Sequence, residues 1–191
     1  MGTEQKNIAV IGLFSEETSD RLQELRAEIA EKFDVREALS WPPHVTLRPG
    51  LIVPSDKIAD MISQFKEFIS PIGPIQVVLS GFKFFDNAIV GGTAKNPYVA
   101  TVDVAKGAEL SGINRKLLQF NAFPAQQARA FDPHVTLAYN DVTEEKFTEI
   151  KRYLADRDFD EKSTIDAIAL YENTGFGNER ILLSKLELIS K

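Results

Sequence analysis

Cysteine is absent from the chain. A disulfide framework, a thiolate-bound zinc or iron–sulfur site and a thiol nucleophile are therefore excluded. Histidine is almost as scarce, because the 191 residues include only two, His44 and His134. Chemistry that needs an imidazole must use these two side chains, with oxygen and amine groups as the other reactive types.

Long apolar runs are also missing, since the longest fall far short of the roughly 20 residues that a membrane-spanning helix needs. The first apolar run, at 8–14, is not preceded by the basic segment of a signal peptide. We therefore expect a cytoplasmic protein with no membrane partner.

Positive charge is in short supply, because 22 Lys and Arg stand against 28 Asp and Glu and give a formal net charge of −6. A protein that coats nucleic acid needs clustered cations to release counterions from many phosphates. The composition therefore predicts no broad nucleic-acid-binding surface. A few local donors can still hold one phosphate, so a small or end-bound ligand is expected.

Apolar periodicity predicts two successive strand–helix–strand–helix–strand patterns. The first helix is expected to bury Leu22, Leu25, Ile29 and Phe33, with its Glu and Arg residues elsewhere. The predicted elements of the first half are strand 8–14, helix 16–33, strand 44–48, helix 55–69 and strand 75–85. Those of the second half are strands 88–92 and 98–104, helix 107–120, strand 134–139, a helix from about 143, and strands 164–171 and 180–189.

This repeated order predicts an α+β fold made of two duplicated β-α-β-α-β halves related by a pseudo-twofold axis. We expect antiparallel-rich sheets with outer helices and a central cleft. No linker rich in Pro, Gly or Ser divides the chain. The expected organisation is one two-lobed domain over residues 1–191, with halves near 1–86 and 87–191, and a monomer.

Both histidines occur in the same string, Pro-His-Val-Thr-Leu, at 43–47 and at 133–137. Side chains alternate between the faces of a strand, so His and Thr share one face while Val and Leu take the other. The apolar pair can pack against helices and leave an imidazole and a hydroxyl facing a cleft. Two imidazoles near neutral pH can act as general base and general acid. The hydroxyls of Thr46 and Thr136 can donate hydrogen bonds to phosphate oxygens.

Arg48 has the strand parity of His44 and Thr46, which predicts a third phosphate contact. The alternative is a solvated surface arginine beside Pro49 and Gly50. Tyr139 has the opposite parity and is expected in the core unless a bulge re-aims it.

Tyr171 is a candidate platform for a nucleobase, because it ends a strand before the Gly-containing turn 172–178. Other aromatic side chains are expected mostly in the core, namely Trp41, Phe84, Phe85 and Phe176. Three aspartates are candidates for orienting an imidazole, with none assigned: Asp103, Asp132 and Asp166. No Gly-rich nucleotide motif is present, since Gly91 and Gly92 do not precede a helix, and no cofactor is expected.

The paired His-x-Thr segments, each preceded by Pro and placed once per half, resemble the two-histidine phosphoesterase superfamily. The members that look most similar are bacterial 2′-5′ RNA ligase and RNA 2′,3′-cyclic phosphodiesterase proteins. The resemblance implies that His44 and His134 are the catalytic pair, that Thr46 and Thr136 hold the phosphate, and that no metal takes part. The implied substrate is a cyclic-phosphate nucleotide or an RNA 3′ end.

We therefore expect an enzyme that hydrolyses 2′,3′-cyclic, or related cyclic or 2′-5′, phosphodiesters, with 2′-5′ RNA ligation as the reverse activity. The alternative is a non-catalytic module of the same fold that binds nucleotides or RNA ends. A purely structural interaction protein is a third interpretation, and it predicts no phosphate binding. Neither the natural substrate nor the division of acid and base roles follows from the residues.

Overall fold

The computed structural model describes residues 3–88, 97–105, 107–124 and 130–189, and this part of the chain forms seven strands and four α-helices. Short 3-10 helices at Glu37–Ser40 and Ser55–Lys57 precede the second strand and the second helix. The elements are β1 (Gln5–Phe14), α1 (Glu16–Phe33), β2 (His44–Pro54), α2 (Ile58–Ile69), β3 (Ile75–Phe85), β4 (Val99–Val104), α3 (Ala108–Leu118), β5 (His134–Tyr139), α4 (Glu144–Ala155), β6 (Asp160–Glu172) and β7 (Ile181–Glu187).

The predicted order of elements is confirmed, and the bounds at 16–33, 75–85 and 134–139 agree residue for residue. β2 continues to Pro54, beyond the predicted end of the strand at 48. The strand predicted at 88–92 lies outside the described residues, apart from Ala88. Within the described residues, no helix has both the length and the hydropathy to span a membrane.

All strands belong to one antiparallel sheet in the order β2-β1-β6-β3-β4-β5, with β7 paired to β6. The first residues of β6 pair with β3, and its later residues pair with β1 and β7. A pseudo-twofold axis between β6 and β3 therefore relates β2-β1-β6 to β5-β4-β3. The expected α+β fold with two duplicated lobes is confirmed.

Each half of the sequence gives its third strand to the other lobe, because β3 pairs with β4 and β6 pairs with β1. The boundary between the lobes therefore does not follow the boundary between the sequence halves at 86 and 87. The two crossing strands also pair with each other over Ile75–Ser80 and Asp160–Ile165. This pairing joins the lobes within one sheet.

The helices cover one face of the sheet and leave the other face for a cleft. On the covered face, alternate residues of β1 such as Ile8 and Val10 pack in the main core with the apolar faces of the helices. On the opposite face, Ala9, Ile11 and Ala169 form a second, small cluster. The two faces of β1 thus separate the core from the cleft.

α1 departs from its predicted apolar stripe at one position. Leu22, Leu25 and Ile29 are buried as expected, but Arg26 is buried with them, so the prediction that arginines lie elsewhere is wrong. Its guanidinium donates hydrogen bonds to the main-chain oxygens of Ala38 and Trp41. The aliphatic stem can therefore pack in the core because the polar end has acceptors.

Replacing Val135, which is fully buried beneath the cleft, by Ala should lower the free energy of unfolding by about 2 kcal/mol, because a cavity remains where two methyl groups packed. Val78 is 42% exposed on β3, and Val78→Ala is the matched control, with an expected effect of about 0.5 kcal/mol or less. Urea unfolding with equal slopes for all variants measures both changes. Equal losses in the two variants would contradict the assignment of faces.

Candidate active site

A β-bulge follows the His-Val-Thr segment of β2. Thr46 pairs with Ile11 and Arg48 pairs with Val10, so Leu47 is an extra residue between the two pairs. Because the partners Ile11 and Val10 point to opposite faces, Thr46 and Arg48 do so as well. The prediction that Arg48 shares the face of His44 and Thr46 is wrong, and the bulge is the physical reason.

Arg48 lies instead on the helix-covered face, where it is 1% exposed. One guanidinium nitrogen donates a hydrogen bond of 2.8 Å to the carbonyl oxygen of Pro124, and the guanidinium carbon lies 5.9 Å from the ring centre of Phe123. The other two guanidinium nitrogens have no hydrogen-bond partner among the described residues. Arg48 is therefore a buried cation of the core layer, on the side of the sheet opposite the cleft.

The second half repeats the bulge in β5, where Leu137 is the extra residue between Thr136 and Ala138. The bulge turns Tyr139 to the face of the histidines, which is the exception to its expected place in the core. Its hydroxyl lies 3.5 Å from a carboxylate oxygen of Glu37. Tyr139 thus borders the cleft from the second lobe.

The imidazoles of His44 and His134 are held in the same way. Nδ1 of His44 lies 2.7 Å from the carbonyl oxygen of Pro42, and Nδ1 of His134 lies 2.7 Å from that of Asp132. Because a carbonyl oxygen can only accept a hydrogen bond, Nδ1 carries the proton in both rings. Nε2 then carries the lone pair in each neutral ring and is the nitrogen that can accept a proton.

Burial lowers the pKa of His44 to about 4. The hydrogen bond to Pro42 opposes this change, while the charges of Arg26 and of His134 add to it. The influence of His134 indicates that the structure brings the two imidazoles into electrostatic range of each other. At neutral pH His44 is therefore a neutral imidazole with its proton on Nδ1 and a lone pair on Nε2.

His134 has a different set of charges around it. Burial lowers its pKa, the hydrogen bond to Asp132 and the carboxylates of Asp132 and Asp103 oppose the change, and Lys83 adds to it. Asp103 is the register partner of His134 across β4, and Lys83 Nζ lies 2.7 Å from a carboxylate oxygen of Asp132. The carboxylates favour the protonated form of His134 relative to that of His44.

Each imidazole contacts an aromatic ring that itself lies beside a cation. In the first lobe the ring centres of Trp41 and His44 are 5.2 Å apart, and the Arg180 guanidinium is 5.2 Å from the indole. In the second lobe Phe85 lies 5.5 Å from His134, and Lys83 lies 5.3 Å from the Phe85 ring.

The candidate platform Tyr171 lies on the cleft face, 5.9 Å from Trp41 between ring centres. Its place in the first lobe corresponds to that of Phe85 in the second, as their register partners in β1 and β4 indicate. Phe84 packs in the core against Phe147, and Phe176 is exposed. Trp41 and Phe85, expected mostly in the core, therefore belong to the site.

A sequence model of the 2′-5′ RNA ligase superfamily matches residues 14–175, a span that includes both His-Val-Thr-Leu segments. The chain belongs to the 2′-5′ RNA ligase superfamily. The resemblance inferred from the paired motifs is thereby confirmed at the level of the family.

Two curated relatives agree with membership in the 2′-5′ RNA ligase superfamily. A Bacillus pumilus (strain SAFR-032) protein with the provisional name phosphoesterase is 25% identical over 152 residues, which cover 80% of this chain and 82% of that protein. A Bacillus licheniformis protein with the same provisional name is 24% identical over 152 residues, which cover 80% and 83%.

Solved structures show the same fold. A phosphoesterase crystal structure matches with a TM-score of 0.63 at 14% identity, over 98% of this chain and 100% of that one. E. coli LigT complexed with 3′-AMP gives 0.60 at 16% identity over 98% and 100%, and TT0787 of Thermus thermophilus gives 0.58 at 18% over 95% and 97%. At these identities the likeness concerns the fold alone.

Four charged residues near the histidines or near Trp41 were not predicted as part of the site. Arg26 had a local signal, because it follows Leu22 by four positions and so falls on the apolar stripe of α1. Lys83, Glu37 and Arg180 had none, since their contacts depend on pairing across the sheet and between lobes. Among the described residues no cluster of three or more His, Asp or Glu side chains is arranged to hold a metal ion.

Arg48→Met should leave the free energy of unfolding unchanged or raise it, because an apolar side chain replaces a buried cation whose hydrogen bonds are incomplete. Urea unfolding measures this change. Calorimetry with inorganic phosphate is the second readout, and the affinity should equal that of the wild type. A large loss of phosphate affinity in a stable variant would contradict the placement of Arg48 on the helix-covered face.

Proposed function

We propose that the protein is a phosphoesterase that hydrolyses 2′,3′-cyclic or related cyclic phosphodiesters of nucleotides or RNA ends. The observation that carries the proposal is the pair of imidazoles on equivalent strands, each with Nδ1 bonded to a carbonyl oxygen and Nε2 left free. Phosphodiester hydrolysis needs one proton acceptor and one proton donor, and the pair supplies both. The reaction as proposed uses no metal ion.

In the proposed reaction, Nε2 of one imidazole accepts a proton from water as the water oxygen attacks phosphorus. The bond between phosphorus and one ribose oxygen breaks, and the other imidazole donates its Nε2 proton to that oxygen. The hydroxyls of Thr46 and Thr136 donate hydrogen bonds to the non-bridging phosphate oxygens. In 2′-5′ ligation a 5′-hydroxyl takes the place of water as the nucleophile that attacks phosphorus, and the base and the acid keep their roles.

The charges around the two rings favour one division of roles. His44 lies near Arg26, whose cation disfavours a second positive charge, so we assign His44 as the base. His134 lies near the carboxylates of Asp103 and Asp132, which favour an imidazolium, so we assign His134 as the acid.

Ligands of structural neighbours support a nucleotide as the ligand class. Crystal structures of E. coli LigT hold 3′-AMP, ATP, NADP+ or phosphate. In this chain Tyr171 lies beside Trp41 at the edge of the cleft. We propose that Tyr171 stacks on the nucleobase, a contact that contributes roughly 1–3 kcal/mol per base in other proteins.

His44→Ala and His134→Ala should each lower kcat for 2′,3′-cyclic nucleoside monophosphates by about 10²- to 10⁴-fold, the usual contribution of a general acid or base. The double variant should be little slower than either single variant, because the two groups act as a unit. Product formation with EDTA present is the measurement.

Circular dichroism and urea unfolding of each variant provide the control for folding. Full activity of either single variant would contradict the paired mechanism, and loss of wild-type activity in EDTA would indicate a metal-dependent reaction. Binding of the cyclic nucleotide without product formation would favour the non-catalytic binding module.

The dependence of kcat/KM on pH should be bell-shaped, with both limbs below the ordinary histidine pKa of about 6.5. The reason is that kcat/KM reports the free enzyme, in which burial lowers the pKa of both imidazoles, that of His44 to about 4. Initial rates at low substrate concentration from about pH 3 to about pH 8.5 measure the profile, because this interval begins below the pKa of His44 and ends above the ordinary histidine pKa of about 6.5.

Asp103→Asn tests which limb belongs to His134. Removing this carboxylate takes away a charge that favours the imidazolium, so the pKa of the basic limb should fall while the acidic limb stays in place. A shift of the acidic limb alone would reverse the assignment of acid and base.

A further inference from the structure

A buried ion pair holds the segment that carries Trp41. Arg180 and Glu37 form a bond of 2.8 Å between Nη2 and Oε1, and their side chains are 1% and 8% exposed. Glu37 opens the 3-10 helix Glu37–Ser40, which leads directly into Trp41 and then β2. Arg180 precedes β7, far away in the sequence.

The ion pair ties three parts of the molecule together. Arg180 donates hydrogen bonds to the main-chain oxygens of Gly175 and Asn178, in the turn before β7. Glu37 accepts a hydrogen bond of 2.9 Å from the main-chain nitrogen of Gly177 in the same turn. The hydroxyl of Tyr139, from β5 of the other lobe, lies 3.5 Å from both partners.

This arrangement contacts His44 through the indole of Trp41. The Arg180 guanidinium lies 5.2 Å from the indole of Trp41, and the indole lies 5.2 Å from the His44 imidazole. Packed apolar residues often stabilise a fold as well as a buried ion pair does, because burial of both charges costs free energy. The contact with the indole therefore suggests that the pair serves to orient Trp41.

We propose that Arg180 and Glu37 are positioning residues, which fix the indole of Trp41 and through it the ring of His44. The catalytic part of this inference rests on the proposed function. The second lobe offers a contrast, because Lys83 beside Phe85 is 36% exposed and pairs with Asp132 at the surface of the cleft. Of the two imidazoles, His44 is therefore the one whose neighbouring aromatic ring is held by a buried ion pair.

Trp41 is the only tryptophan of the chain, so intrinsic fluorescence reports on this residue alone. Arg180→Met should shift the emission to longer wavelength and increase quenching by acrylamide, because the indole loses the cation that holds it. The value of kcat for 2′,3′-cyclic nucleotides should fall on the order of 10- to 100-fold, the loss that a misplacement of about 1 Å causes. KM should change less, because Thr46 and Thr136 still hold the phosphate.

A second variant separates orientation from stability. Arg180→Met leaves the carboxylate of Glu37 buried without its cation, which destabilises the fold. The double variant Glu37→Gln/Arg180→Met removes both charges and should regain stability in urea. Its emission and kcat should remain those of the single variant, because the indole is still not held.

Arg157→Met is the matched control. Arg157 also pairs with a glutamate, Glu28 at 2.7 Å, and its guanidinium lies 4.1 Å from the ring centre of Tyr153, but both charged partners are largely exposed and lie apart from the cleft. This variant should keep the emission and kcat of the wild type.

Wild-type emission and kcat in the stable double variant would overturn the proposal, and so would recovery of kcat together with stability. If the wild type turns over no cyclic phosphate, the proposed function fails. The emission measurements still decide in that case whether the ion pair holds Trp41.

Discussion

The pairing of β3 with β6 is the constraint on which the cleft depends. Six consecutive register pairs, from Ile75 with Ile165 to Ser80 with Asp160, join the two lobes within one sheet. Each of these strands then continues into the lobe that contains the other half's histidine. The two His-Val-Thr strands have a fixed relation because this central pair does not allow the lobes to separate. Without it the duplicated halves would each hold one imidazole and share no cleft.

The local parts of this arrangement could be predicted from the sequence, and the parts that depend on pairing could not. Periodicity gives the helices and strands, and the alternation of a strand gives His44 and Thr46 a common face. The bulge after Thr46 is set by how β2 pairs with β1, so no reading of the strand alone shows that Arg48 turns to the other face. The ion pair between Glu37 and Arg180 joins positions 143 residues apart and leaves no local pattern.

Duplication explains why the two imidazoles share a backbone geometry, and divergence explains why they differ in charge. In the first lobe the register partner of His44 is Leu13, whereas in the second lobe the partner of His134 is Asp103. The two lobes thus differ at equivalent positions, where Asp103 places a carboxylate beside His134 and Leu13 places an apolar side chain beside His44. Two chemically identical groups can then carry different protonation states at one pH, as acid–base catalysis requires.

Arg26 connects the proposed phosphate site with the charge state of His44. The protein has a formal net charge of −6, so a phosphate must be attracted by charges close to the cleft. Arg26 donates to the carbonyl oxygens of Ala38 and Trp41, and among the described residues no carboxylate forms a salt bridge with it. Its charge therefore acts on its surroundings, where it lowers the pKa of His44. In the proposed reaction, a phosphate in the cleft offsets part of that charge and raises the pKa of His44, so the proposed base becomes stronger when the substrate is bound.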